Sequence, residues 1–334
     1  MHLEPEMNRM WLRDESRSHV STLDQLKVIY ARLDYESTMF GERSPSITLG
    51  YPRDEIGPSS QVPSSFMNVA EARKSLDILS NAVYCLRSEL LHLAALEMGN
   101  DIYEDWAVRY CIAYSRIRTV DLSKHASLLQ QQSCLKFSLE RWAFSFKVLS
   151  GNLEPRPAIL LEMRHFYIYF LICTIRDTHE DSCDHFDPLF QRVADLGNEF
   201  VNANGSKSAT RPKLTFTLES GIIPSLYLVA MKCRNYKIRH EAIALLDRTR
   251  CQEGMWEAGL IARFVAEVAD LEEEAADTQG REDYSFNTCI PESARFSDVV
   301  IAMSETPGHG RLVCARYAHE STGEVKFSER AFQL

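Results

Sequence analysis

No two of the nine cysteines in this chain are separated by two residues; they stand at positions 85, 111, 134, 173, 183, 233, 251, 289 and 314. A zinc ribbon or finger needs closely paired thiolates to fix half of its tetrahedron, and this spacing excludes one. The odd count and the scatter through apolar runs fit reduced, buried thiols rather than a disulfide framework. Long apolar runs are also missing. The longest, Phe166 to Ile175, has ten residues between His165 and Arg176, where a bilayer span needs about twenty. It reads as a buried helix, and no membrane association is expected. The first residues, Met-His-Leu-Glu-Pro-Glu, lack the apolar stretch of a signal peptide.

Positive charge is in deficit. Asp and Glu number 47 against 37 Lys and Arg, a net charge of -10. Nucleic-acid affinity rests on neutralising phosphates, so direct sequence-specific DNA binding is not expected. Catalytic signatures are absent as well: no Gly-x-Ser-x-Gly, no Walker lysine loop, no His-Glu-x-x-His. Gly308-His-Gly310 lacks a third glycine and a following helix, so it reads as a turn. With 45% apolar and 25% charged residues, the chain has an ordinary globular balance.

What is present is helical periodicity. Residues 1–20 read as a flexible N-terminus. Thr22 and Gln25 match a capping box, and Leu26, Ile29, Tyr30, Leu33 and Phe40 fall on one helical face behind it. Four prolines between positions 43 and 66 make that stretch a loop. Asn68 with Glu71 signals another cap. After it, Ala72, Leu76, Leu79, Val83, Leu86, Leu90 and Leu93 step by four and three, as in a coiled-coil seam. Leu128, Leu135, Leu139, Trp142, Phe146 and Leu149 keep the same rhythm up to Gly151. The first helix is therefore expected to bury its seam within the chain, against this second one. Pro157 opens the apolar helix through Thr174, and Asp187-Pro188 starts another that carries Leu189, Val193, Leu196 and Phe200. Asn204 to Pro212 reads as a loop.

Residues 214–274 are the core stretch. A helix is expected from about Pro224 to Cys233, a second over Tyr236–Leu246, and a third over Met255–Glu274. At the C-terminal end the period changes from helical to alternating. Two segments flank Ser321-Thr-Gly323, and a β-hairpin is expected over about residues 311–329. The fold class read from these patterns is all-α: a multi-helix, α-solenoid-like array of packed helical hairpins with a small C-terminal β-hairpin. Residues 21–334 form one helical domain in this reading.

Two constellations bear on function. Thr178 to Asp187 packs two His, one Cys and four acids into ten residues. Zinc would accept such ligands, but the loop reads as a solvated acidic turn, and neither a metal nor a cofactor is expected. Arg234, Lys237, Arg239, His240, Arg248 and Arg250 cluster around the second core helix. They could receive an acidic partner segment or an anionic effector. The acidic run Glu267, Asp270, Glu272 to Glu274 could instead neutralise them within the chain. Tyr227 and Trp256 either pack in the core or line an effector pocket.

The core stretch carries a resemblance. Ser220-Gly-Ile-Ile-Pro-Ser-Leu-Tyr-Leu228, Lys232-Cys-Arg234, Ile238-Arg-His-Glu-Ala-Ile243 and Glu253-Gly-Met-Trp256 together resemble the C-terminal "fungal-specific transcription factor" domain of fungal zinc-cluster regulators. That resemblance implies a helical regulatory domain in the nucleus or cytoplasm. Such a domain acts through a protein partner or small-molecule effector, contacted here at Tyr227, Arg234, Lys237, Arg239, Arg248 and Trp256. The family's six-cysteine DNA-binding module has no counterpart in these 334 residues. A homodimer, or a heterodimer with a full-length relative, is compatible with this. The alternative from another class is an enzyme repurposed on the helical scaffold in fungal secondary metabolism; no catalytic residue is assigned.

Overall fold

Asn68 and Glu71 close the first long helix on each other. The Glu71 N–H donates to Asn68 Oδ1 at 2.9 Å, and Glu71 Oε2 accepts the Met67 N–H at 2.7 Å, so two of the backbone donors that a helix start leaves orphaned are satisfied reciprocally. The helix that follows, α1, spans Val69–Glu97. The computed structural model describes residues 62–97, 105–117, 120–151, 153–177, 179–205, 215–217, 221–254, 256–277, 290–303, 309–319 and 324–333, with 26, 27, 29–31, 33 and 34. The N-terminal segment 1–20, the Thr22 capping box, most of the loop 43–66 and the loop beyond position 205 lie outside the described residues.

The remaining helices are α2 (Trp106–Ile117), α3 (Ala126–Ser150), α4 (Pro155–Thr174), α5 (Asp187–Gly205), α6 (Ile223–Lys232), α7 (Tyr236–Arg248) and α8 (Ala258–Asp277). The strands are β1 (Thr215–Thr217), β2 (Cys251–Glu253), β3 (Trp256–Glu257), β4 (Asp298–Met303), β5 (His309–His319) and β6 (Glu324–Gln333). Two compact units emerge: residues 1–88 with 125–153, and residues 89–124 with 154–334.

In the first unit the seam residues Ala72, Leu76, Leu79, Val83 and Leu86 are buried, as are Leu135, Leu139 and Trp142 of α3. The Trp142 indole N–H donates to the Ala72 carbonyl at 2.9 Å, and its ring lies 5.9 Å from Phe66 and 4.7 Å from Phe146. The seam therefore meets α3 inside the chain. Gly151 ends α3 with right-handed backbone, φ -63, so here glycine is not needed for a left-handed cap. The expected face of the first short helix is turned outward: Leu26, Ile29, Tyr30 and Leu33 are exposed, while Ala31 is buried.

In the second unit, α6, α7 and α8 pack on one another, and α5 packs on α6 and α7. These contacts are wider than the nearest-neighbour stacking of a solenoid. Phe166 and Phe170 of α4 meet Phe186 and Phe190 at ring separations of 4.9 to 5.8 Å, and Phe186 lies 6.3 Å from Phe190, so the four rings pack α4 against the start of α5.

The architecture is mostly helical, but the C-terminal hairpin is part of a larger element. β5 and β6 pair antiparallel as the alternation indicates, and β4 adds a third antiparallel strand on the far side of β5. Helix α2 covers this sheet, with Ala107 and Cys111 against Ala302, Val313 and Ala315. Tyr317 Oη donates to the Ser115 carbonyl at 2.6 Å, and Arg311 pairs with Asp105. A second small sheet lies in the core stretch: β1 pairs parallel with β2, and β2 antiparallel with β3. The expected single helix over Met255–Glu274 thus begins only at Ala258.

Candidate functional site

The phrases quoted from the core stretch converge in space, and two carboxylates absent from the expected site hold them together. The first is Glu253, 5% exposed at the end of β2. Its carboxylate accepts the backbone N–H groups of Gly221 at 2.7 Å, Ile222 at 2.9 Å and Ile223 at 3.1 Å. It caps α6 from another element, where the helix dipole favours negative charge. A Cβ at position 221 would overlap that carboxylate, so the glycine of the Ser220-Gly phrase is a close-approach glycine. Gly254 then turns the chain into β3 at φ 58. Burial pushes the Glu253 carboxyl above its usual range, against the pull of the three N–H donors.

The second carboxylate is Glu272, fully buried on α8. Its Oε1 accepts from Arg234 Nη2 at 2.9 Å and from the Phe296 N–H at 2.7 Å, and its Oε2 lies 2.9 Å from Arg239 Nη1. Arg239 Nε donates to the Ala230 carbonyl at 2.8 Å. Burial alone would raise the Glu272 carboxyl, but the charges of Arg234 and Arg239 outweigh it and hold the group below the usual glutamate range.

A ring of further pairs surrounds this centre. Glu180 accepts from Lys232 Nζ at 2.9 Å and lies 3.6 Å from Arg234. Arg295 forks onto Asp184 at 2.9 and 2.8 Å and donates to the Glu180 carbonyl. The acids of the 178–187 segment that reads as a solvated turn therefore include two that are ion-paired to the core. His179, Asp181 and Glu292 bring donor atoms within 4.8 Å of one another; Glu292 Oε1 there accepts the Glu180 N–H at 3.0 Å and lies 3.4 Å from His179 Nδ1. Cys183 is buried apart from that group.

Of the six residues assigned to a contact site, four are in the interior or its wall. Arg234 and Arg239 are 1% and 0% exposed. Trp256 is buried, and Tyr227 is half-buried with its ring edge-on to Trp256 at 4.9 Å and stacked on Phe264 at 6.1 Å. Burial raises the Tyr227 phenol above its usual value. Lys237 and Arg248 are exposed on α7, eleven residues apart and so on one helical face. Arg248 Nη2 donates to Asn198 Oδ1 at 3.3 Å, and Asn198 donates to Glu241. The exposed Arg250 follows directly.

No family model matches the chain, and no solved structure matches it. One relative does. Over 117 residues the chain is 36% identical to the aspercryptin biosynthesis cluster-specific transcription regulator atnN of Emericella nidulans. The match takes in 35% of this chain and 18% of that protein, so the chain spans under a fifth of that regulator's length. This similarity supports a relationship to fungal transcription regulators.

The geometry gives the family-like phrases a structural meaning. Gly221-Ile-Ile needs Glu253, and Lys232-Cys-Arg with Ile238-Arg needs Glu272 and Glu180. In each case the partner is distant in sequence: Glu253 accepts backbone N–H groups, and Glu272 and Glu180 are ion-paired to the arginines and Lys232. No helix among the described residues is long and apolar enough to cross a membrane.

Proposed function

We propose that this chain is a regulatory domain of the fungal transcription-regulator type, acting in the nucleus through a protein partner or an anionic effector. The observation that carries the reading is the 36% identity to a named transcription regulator; the locked phrase network of the core stretch supports it. Contact is made at the α7 surface. Lys237 and Arg248 lie on one face of α7 with Glu241, which Asn198 engages, between them, and Arg250 is exposed two residues beyond Arg248; on a chain of net charge -10, positive charge localised there steers an anionic group to that face. Arg234, Arg239, Tyr227 and Trp256 act beneath that surface by holding α6, α7 and α8 in register.

The test is a fusion of the full chain to a heterologous DNA-binding module, read by a reporter carrying that module's site. The fusion is expected to change output relative to the module alone. Lys237→Glu with Arg248→Glu should abolish the change while leaving the circular-dichroism melt in place. Output equal to the bare module, with the fusion present in the nucleus, overturns the regulatory reading. Unchanged output from the charge-reversed fusion moves the contact off α7.

A further inference from the structure

Segment 178–187 carries two histidines, one cysteine and four acids, and the fold sorts them. Glu180 and Asp184 turn inward to Lys232, Arg234 and Arg295, Asp187 meets Cys233, and Cys183 is buried. His179 and Asp181 stay at the surface, and Glu292, from the turn that leads into β4, is brought beside them. One imidazole nitrogen and two carboxylate oxygens thereby lie within 4.8 Å of one another. One edge of that triangle is short, with His179 Nδ1 at 3.4 Å from Glu292 Oε1. Zinc holds imidazole and carboxylate ligands at about 2.0–2.2 Å, so donors around it stand about 3.4 Å apart in a tetrahedron. Edges longer than that close by rotation of the exposed Asp181 side chain. Glu292 is already oriented from behind, because its Oε1 accepts the Glu180 N–H at 3.0 Å, as an outer donor orients a metal-ligating carboxylate.

Charge points to the same ligand. Two carboxylates converge here, and the cations of the surrounding core are engaged elsewhere. Arg295 forks onto Asp184 and donates to the Ile290 and Glu180 carbonyls. Lys232 is held by Glu180 and by the Ser297 carbonyl at 3.0 Å, and Arg234 pairs with Glu272. Among the described residues no hydrogen bond or ion pair falls to the Asp181 carboxylate. The convergent negative charge therefore calls for a cation from solution. The imidazole among the donors selects a transition ion over Ca²⁺ or Mg²⁺, which take oxygen ligands.

We propose that His179, Asp181 and Glu292 bind one Zn²⁺ ion, with water in the fourth position. The ion clasps the 3₁₀ segment Glu180–Phe186 to the turn Glu292–Ala294. It reinforces from the surface the segment that supplies Glu180 and Asp184 to the ion pairs of the core. Mn²⁺, lower in the affinity order that such donors follow, binds the same group more weakly. The site stands whether or not the chain regulates transcription.

The experiment is a calorimetric titration and a thermal melt of the full chain with ZnCl2, beside His179→Ala, Asp181→Asn and Glu292→Gln. Wild type freed of metal by a chelator should take up one equivalent, raising Tm by about 2–4 °C or more at saturation. Each variant should bind about tenfold or more weakly and lose that rise. The three positions are at the surface or half-buried, so the metal-free variants should melt cooperatively, which the same scans check. Nine cysteines are alternative zinc ligands, so Co²⁺ is the second probe. Nitrogen and oxygen ligation gives weak visible bands, whereas thiolate ligation adds an intense near-ultraviolet one; the expected spectrum lacks the thiolate band. No Tm rise in wild type, a rise kept by all three variants, or a thiolate band that accounts for the bound cobalt each overturns the proposal. Ca²⁺ binding as tight as Zn²⁺, and unchanged by His179→Ala, would show a solvated acidic turn and overturns it equally.

Discussion

Gly221 and Glu253 are in such close contact that the one fixes what the other can be. The carboxylate accepts the Gly221 N–H at 2.7 Å and fills the space where a Cβ would project. Gly221→Ala is therefore expected to displace Glu253 and uncap α6, costing about 2 kcal/mol or more. Glu253→Ala should cost about as much, and the double variant clearly less than the sum, since both remove one interaction. Urea denaturation of the three variants measures this; additive losses would mean that the cap is not shared.

Gly254 is a separate case, because its demand is conformational. At φ 58 a residue with a Cβ sits in the sparsely allowed left-handed region, at a cost of about 1–2 kcal/mol. Gly254→Ala should lower stability by that amount, and Gly254→Asn by less, since asparagine tolerates this conformation. Equal melts for all three proteins would contradict the backbone assignment at this turn.

Leu86 on the α1 seam is 1% exposed. An unpaired carboxylate there costs several kcal/mol, a large part of a domain's stability. Leu86→Asp is expected to unfold the protein, and Trp142→Phe to cost about 1 kcal/mol by removing the indole N–H that the Ala72 carbonyl accepts in addition to its helical bond. A helical, cooperatively melting Leu86→Asp protein would show that the seam is not a core.

Helix rhythm was legible wherever local signals agreed. The Asn68–Glu71 cap, the α1 seam, Pro224 in the first turn of α6 and the β5–β6 alternation all concern neighbours within a few residues. What escaped depends on partners far along the chain. Arg239 reads as a surface base because arginine is mostly exposed, yet it stands at i, i+3, i+7 with Ala242 and Leu246. Placed on the buried stripe, it required a buried anion; that anion is Glu272, 33 residues away, within the acidic run that the sequence offered as the intramolecular alternative. The three-residue β1 and β2 are too short to show a period. β4, Asp-Val-Val-Ile-Ala-Met, is a β-branched run and Pro307-Gly308 is a turn signal between it and β5, so this third strand was legible although the expected hairpin stops short of it.

The Glu272 centre also sets how the fold responds to acid. Glu272 is ionised between Arg234 and Arg239, and its folded pKa lies below the ordinary glutamate value of 4.5. A carboxyl whose folded pKa is depressed contributes stability that is present above its unfolded pKa. That contribution is lost as pH falls through the folded one. Stability is therefore expected to hold down to about pH 5 and to decline below the 4.5 of the unfolded group. Glu272→Gln keeps the shape but leaves two buried guanidiniums without their counter-charge, an effect of about 3–5 kcal/mol. In that variant the loss is already present at pH 7, and the decline below pH 4.5 should be shallower than in the wild type. Adding Arg239→Met should recover part of the loss, because one uncompensated charge is then removed from the interior. Denaturation curves between pH 3 and pH 8 for the three proteins decide it. Parallel pH profiles for wild type and Glu272→Gln would mean that the acid response originates at other carboxylates.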